Sequence, residues 1–403
     1  MAKSEAGRKG KGIRSDCWVS IETKSSGGLS LDIRSKVDSM YGDSFRKTVE
    51  EGLKLFSIEN GVVEIEDTGA LPFTIMARLE TAVRRLGDEV TEQFLPELAE
   101  QCTYPTTRDR MRRSRLYLPG NDPKLSVNAG IHKPDGVILD LEDSVHPSEK
   151  DAARLMVRNA LRTVDFMGAE RMVRINQGDL GLLDLEFLIP HNVHVILIPK
   201  VEGPEQVKAV DDKIQQIRKA GKVEAEVFLM PIVESGLGAI KAYEIATASP
   251  NNVALTIGLE DYTADIGTRR TAEGRESFWA RSQVVNAARA AGLQPIDTVF
   301  SDVRDMEGLR ESVLEAKGLG FDGKGCIHPR QIQVIHEAFA PAEAEIDRAK
   351  KVVVAFEDAQ AKGLGVVSLG SKMIDPPVVK RALHTVDLAI AVGKLEGNWR
   401  DEQ

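Results

Sequence analysis

From Arg115 onward, short apolar runs alternate with longer amphipathic stretches. The apolar runs fall at 115–118, 136–141, 171–175, 193–199, 226–233, 252–258, 296–300 and 322–327, and most are rich in Val, Ile and Leu. Runs of this length between turn residues read as strands buried on both faces. Stretches 148–162, 205–219, 236–248, 274–291 and 305–319 fall between them with apolar residues at helical spacing. Strands alternating with helices make βα units and a parallel sheet. Eight strands in this span predict a closed TIM-type (β/α)8 barrel, over 113–340, rather than an open doubly wound sheet.

The text before the barrel has a different rhythm. Cys17-Trp18-Val19-Ser20-Ile21-Glu22 predicts a half-buried strand. Ser25-Ser26-Gly27-Gly28 is a turn, and Leu29, Leu31 and Ile33 form the answering strand. Residues 43–57 place Phe45, Val49, Leu53 and Phe56 on one helical face, Asn60-Gly61 breaks that helix, and 62–66 is a further strand. Pro72 opens a second helix, at a position where its missing N–H costs nothing. Together these predict a small α+β domain over 15–90, preceded by a disordered basic Gly-rich terminus (1–14) and followed by a charged linker (91–112). The last stretch, 341–403, is mostly helical, with Pro341, 363–370 and Pro376-Pro377 as breaks. It is too short for a core of its own and is expected to cap the barrel or reach a neighbouring subunit.

Composition narrows the class. The 403 residues carry 53 Lys plus Arg against 62 Asp plus Glu, a net charge of −9. That argues against a nucleic-acid binder, which needs a clustered basic face. Cys17, Cys102 and Cys326 have no CxxC spacing, so neither zinc nor a disulfide framework is implied. An odd count without a secretory signal suits a reducing cytoplasm. No apolar stretch is long enough for a membrane span.

Candidate chemistry gathers where strands run into loops, because a barrel brings those ends to one mouth. Glu234 and Asp261 follow consecutive strands, and two carboxylates with water and substrate oxygens suit Mg²⁺. The alternative is a pair of solvated loop acids. Asp140, Glu142 and Asp143 end the second strand; one could orient metal-bound water, or Asp143 could cap the next turn of chain. Arg174, among apolar neighbours, wants a carboxylate, either on a ligand or in a structural ion pair. Lys200 after Ile198-Pro199 is placed as an electrostatic or structural group rather than a Schiff-base nucleophile, given the metal pair beside it. Composition alone makes Asp375 a turn acid or helix start.

These motifs, taken in order, resemble the citrate lyase β-subunit family of HpcH/HpaI-type aldolases. The matching text is Arg113-Ser114-Arg115-Leu116-Tyr117-Leu118-Pro119-Gly120, then 140–144, Arg174-Ile175-Asn176, Ile198-Pro199-Lys200, Glu234-Ser235-Gly236, Gly258-Leu259-Glu260-Asp261, Ile327-His328-Pro329 and Met373-Ile374-Asp375. The resemblance implies a Mg²⁺-dependent carbon–carbon lyase for β-hydroxyacyl thioesters such as citryl-, malyl- or citramalyl-CoA, giving an acetyl thioester and an oxo-acid through a metal-stabilised alkoxide and enolate. It implies Glu234 and Asp261 as metal ligands, Arg174 on the oxo-acid carboxylate, Glu142 in catalysis, and Arg113, Pro119 and Gly236 around the substrate. It further implies a homo-oligomer, trimer or hexamer, in which Asp375 of one subunit acts in the site of the next. Two other uses of such a site stay open: a malate-synthase-like condensation, and an acyl-carrier scaffold with an inactive barrel.

The first 90 residues are similar to the acyl carrier (γ subunit) of citrate lyase, on Ser15-Asp16-Cys17-Trp18-Val19-Ser20-Ile21, Tyr41-Gly42-Asp43-Ser44 and Asp67-Thr68-Gly69-Ala70-Leu71-Pro72. That carrier holds a CoA-derived prosthetic group on a serine, which makes Ser15 the candidate attachment point. Here Ser15 adjoins Asp16 directly, where the carrier spaces the two by one residue.

Overall fold

The computed structural model describes residues 2–87, 89–361, 363, 367–369 and 372–400. Asp88 and part of the 363–370 break lie outside the described residues. The chain forms two compact units, residues 1–332 and 333–403.

The first unit opens with a four-stranded sheet, β1 (Lys3–Gly7), β2 (Cys17–Thr23), β3 (Leu29–Ser35) and β4 (Gly61–Asp67), in the order β1-β2-β4-β3. The terminus expected to be disordered supplies β1, paired antiparallel to β2. Beneath its basic composition runs a period of two: Ser4 and Ala6 turn inward while Lys3 and Glu5 face out. β3 does not answer β2 as a hairpin; it pairs parallel to β4, which takes the centre beside β2. Burial explains the order. Cys17 to Ile21 are buried throughout, whereas β3 is mostly exposed and suits an edge. Helices Asp38–Leu55 and Pro72–Arg84 cover one face, closing a core of Val19, Ile21, Val49, Leu53, Ile65 and Leu79.

The module is joined firmly to the barrel. Glu80 and Arg158, both wholly buried, meet at 2.7 Å, and Asn159 Nδ2 donates to the main-chain oxygen of Phe73. Arg78 binds Asp16 through two hydrogen bonds and donates a third to the main chain of Asn121. Removing one partner of such a buried pair costs about 3–5 kcal/mol, because the other charge is left in low dielectric. The segment 91–112 is not a solvated linker either. Phe94 and Arg112 are buried, and Arg112 forms a two-pronged ion pair with the equally buried Glu170.

Among the described residues, eight parallel strands close the predicted barrel: β5 (Ser114–Pro119), β6 (Gly136–Asp140), β7 (Glu170–Arg174), β8 (Val195–Ile198), β9 (Phe228–Val233), β10 (Ala254–Ile257), β11 (Gln294–Asp297) and β12 (Gly323–Cys326). Each lies within two residues of its expected start. The interior is filled by Ile138, Met172, Leu197, Met230, Ile232 and Ile296. Helix Gly178–Leu188, between β7 and β8, was not expected. No helix among the described residues is long and apolar enough to cross a membrane.

In the second unit, helices Glu343–Ala361 and Pro376–Ala391 pack together around Val352, Val353, Val386 and the fully buried Trp399. The tail therefore has a small core, contrary to expectation. The indole of Trp399 supplies the bulk that the valines and alanines of the two helices lack.

Candidate active site

The C-terminal ends of the strands surround a cavity of about 400 Å³. Tyr117, Pro119, Arg174, Glu234 and Asp261 line it, joined from below by Arg115. The volume suits a small acid and one end of a larger molecule.

Glu234 directly follows β9 and is 5% exposed. Its Oε1 accepts the main-chain N–H of Lys200 at 2.8 Å, which fixes the carboxylate. Gly258, after β10, makes room for it: a Cβ there would lie 2.5 Å from Glu234 Oε2. Asp261 sits in the first turn of helix Leu259–Asp265 and is half exposed. Burial, then the charge of Asp261, pushes the Glu234 carboxyl up to about 8, against the pull of the Lys200 amide. Two oxygen donors whose charges oppose each other are what a hard divalent cation neutralises, so the donor set fits Mg²⁺.

On the β6–β8 side every charge is matched. Arg174 grips Asp140 with Nε at 2.6 Å and Nη2 at 2.7 Å, and its Nη1 meets Glu142 at 3.0 Å. Burial pushes Asp140 up, but Arg174 outweighs it and holds the carboxyl below its usual range. Asp140 also accepts the N–H groups of Glu142 and Ser144, which shapes the loop. Glu142 receives Lys200 Nζ and Gln177 Nε2, each at 2.9 Å. Lys200, in a left-handed backbone conformation (φ 49°), also reaches Asp143 at 3.0 Å and lies 3.9 Å from Asp261. Burial lowers its pKa, but Glu142 and Asp143 raise it further, so the ammonium stays charged. A protonated lysine cannot attack a carbonyl.

Two expected substrate contacts stand outside the cavity. Arg113 stands at the foot of β5, bidentate to Asp135, at the opposite end of the strand from the mouth, so it does not reach the substrate cavity. Gly236 opens helix Gly236–Ile240, where its N–H donates to Asp265 at 2.7 Å; it adjoins Glu234 without lining the cavity. Asp375 belongs to the second unit and caps helix Pro376–Ala391 by accepting from the Val378 N–H at 3.1 Å. Ser15, on the module, has a left-handed backbone (φ 56°) beside the buried Asp16. The Asp16–Arg78–Asn121 bridge ties it toward the loop that leaves β5.

Sequence reasoning missed the Asp140–Arg174 grip, Gln177 and the inward Arg115. For Arg115 a signal existed: a lone cation inside a strand otherwise buried on both faces.

Residues 113–329 match the family described as HpcH/HpaI aldolase/citrate lyase, and residues 8–86 match the acyl-carrier family described as malonate decarboxylase delta subunit. The chain is 40% identical over 296 residues to citrate lyase subunit beta of Leuconostoc mesenteroides subsp. cremoris, covering 72% of this chain and 98% of that one. It is 36% identical over 293 residues to mitochondrial citramalyl-CoA lyase of Mus musculus, covering 70% and 87%. Among solved structures it is similar to protein CitE from Mycobacterium tuberculosis in complex with magnesium, acetoacetate and coenzyme A, with a TM-score of 0.59, 30% identity, and coverage of 70% of this chain and 99% of that one.

Proposed function

The chain belongs to the HpcH/HpaI aldolase/citrate lyase family, and from that premise we propose that it is a Mg²⁺-dependent carbon–carbon lyase acting on a β-hydroxyacyl thioester to give an acetyl thioester and an oxo-acid. The observation that carries this reading is the Glu234–Asp261 pair, two carboxylates on one cavity, where burial and their mutual repulsion lift Glu234 to about 8. Relatives and neighbours support it: named lyases of citrate and citramalyl-CoA, and a structure holding magnesium and coenzyme A.

Glu234 and Asp261 would hold the cation, which when bound polarises the oxygen of the hydroxy- or oxo-acid. The Lys200 amide keeps Glu234 Oε1 engaged, so Oε2 is the oxygen left for the ion. Arg174 uses one proton each of Nε, Nη1 and Nη2 on Asp140 and Glu142. One proton remains on each terminal nitrogen, and these are the donors for the substrate carboxylate. Glu142, braced by Arg174, Lys200 and Gln177, is placed to orient water beside the metal site. Pro119 closes one wall and excludes solvent. Asp375 from a second copy of the chain would take the hydroxyl proton of the substrate and return it to the departing acetyl carbon, which requires an oligomer. The three cysteines are buried and free, which suits a reducing compartment.

The test is acetyl-CoA release from citryl-CoA, malyl-CoA and citramalyl-CoA with Mg²⁺, with Glu234→Ala as control. Cleavage of one thioester, dependent on metal and lost in the variant, is the expected result. Wild-type turnover by Glu234→Ala, or no cleavage of any free thioester by a protein whose intact mass shows unmodified Ser15, overturns the reading.

A further inference from the structure

Arg115 is a charge that the reaction just described leaves unused. It lies in β5 and is fully buried. Arg115, Tyr117 and Pro119 alternate along one face of the strand, and all three line the cavity. Arg115 is the deepest of them, well below the strand ends that carry Glu234 and Asp261.

Its direct hydrogen-bond partners are neutral. Nη1 donates to Met230 Sδ at 3.0 Å and to Thr256 Oγ1 at 3.2 Å, and Nη2 makes a long contact of 3.4 Å with the main-chain oxygen of Asp297. Nε has no hydrogen-bond partner. The Asp297 carboxylate is already held by Lys324 at 2.7 Å and Arg281 at 3.1 Å. No ion pair reaches Arg115 among the described residues.

The other cations of the region differ. Arg174 is matched by Asp140 and Glu142, and Lys200 by Glu142 and Asp143. A second cavity of about 610 Å³ shares Asp297 and Thr298 with the first, and its cations are matched too: Arg270 by Glu260, and Arg281 and Lys324 by Asp297. A guanidinium out of water with no counter-charge costs several kcal/mol. Because it lines the cavity floor, an anion that reaches that floor would satisfy it, and its planar fork suits a carboxylate.

We propose that Arg115, with the Thr256 hydroxyl, forms an anion subsite at the floor of the cavity that takes a second carboxylate on the oxo-acid half of the substrate. This rests on the lyase reading and deepens it: the preferred thioester is one whose oxo-acid product is a dicarboxylate. The small cavity and its apolar walls, Ile232 and Ile257, favour a carboxylate on a short chain over a bulkier anion.

Citryl-CoA and citramalyl-CoA separate the cases, since the first yields oxaloacetate and the second pyruvate, which lacks the extra carboxylate. With the full chain and Mg²⁺, wild type is expected to favour citryl-CoA about 100-fold in kcat/KM. Arg115→Met should collapse that ratio about 100-fold, and Arg115→Lys should restore part of it. A merely structural arginine would lower both substrates together and leave the ratio alone, which would overturn the subsite, as would a wild type that prefers citramalyl-CoA. Calorimetric titration of wild type with oxaloacetate and pyruvate guards against a variant that fails to fold. Tighter oxaloacetate binding, by about tenfold or more, is expected, and equal affinity would overturn the proposal. Should no thioester be cleaved, the lyase reading fails while this titration still decides the subsite.

Discussion

The two sides of the barrel mouth solve the same electrostatic problem in opposite ways. On the β6–β8 side, Asp140, Glu142 and Asp143 face Arg174 and Lys200, and each carboxylate is matched within 3.0 Å. On the β9–β10 side, Glu234 and Asp261 oppose each other, and Lys200, 3.9 Å from Asp261, offers only a distant cation. The first side is finished when the chain folds. Under the proposed function, a cation would complete the second. A matched cluster and a carboxylate pair without a close cation thus share one mouth.

Breaking the unfinished side should have the largest effect on activity. Glu234→Ala is expected to lower kcat/KM by about 10³-fold or more, since the proposed metal ion would lose one of its two carboxylate ligands. Its thermal stability without metal should change little near neutral pH, where the buried carboxyl holds its proton; a large fall in melting temperature would show that Glu234 holds the fold instead.

Breaking the finished side should cost stability first. Arg174→Met strands the buried Asp140, so denaturant unfolding should show a loss of about 3 kcal/mol. A loss below about 1 kcal/mol would mean the grip is ornamental.

Titration sharpens the contrast without mutation. The folded Glu234 carboxyl sits near 8, above its usual value. In the metal-free protein this group therefore contributes stability that is full at low pH and declines as pH rises toward 8. A cation must displace that proton, so apparent Mg²⁺ affinity should rise about tenfold per pH unit between pH 6 and 8 and then level off. Isothermal titration in buffers of different ionisation enthalpy would count the proton released; none released would place the metal elsewhere.

The smallest effect is expected at Lys200, which is partly exposed and shared among several acids. Lys200→Met should reduce stability by less than about 1 kcal/mol. It should lower kcat about tenfold by loosening Glu142, with KM for the thioester little changed.

The barrel was legible because burial on both faces writes each strand as an unbroken apolar run, and the eight starts fell within two residues of place. Helix Gly178–Leu188 was not; Gly181 is required there, as a Cβ would meet the main-chain oxygen of Asn176 at 2.0 Å. β1 was hidden because Lys and Gly dominate its neighbourhood, while only Ser4 and Ala6 carry the inward period. In the site, single residues at strand ends could be placed on a common mouth, but their partners could not. Asp140 and Arg174 are 34 residues apart, and periodicity assigns a face, not a hydrogen bond. Arg113 shows the reverse error: it stands in the same motif as Pro119, but one strand length separates the foot of the barrel from its mouth.

The buried Glu80–Arg158 contact makes the union of module and barrel hard to undo. A chain assembled from two ancestral pieces ordinarily comes apart at the seam, each piece folding as before. Here the barrel helix has accepted a charge that only the module neutralises, so a barrel freed at residue 113 inherits Arg158 without its counterpart. Shortening the protein to the length of its single-module relatives would leave Arg158 buried without Glu80, so a compensating change at Arg158 is expected to be needed for the barrel to keep its stability.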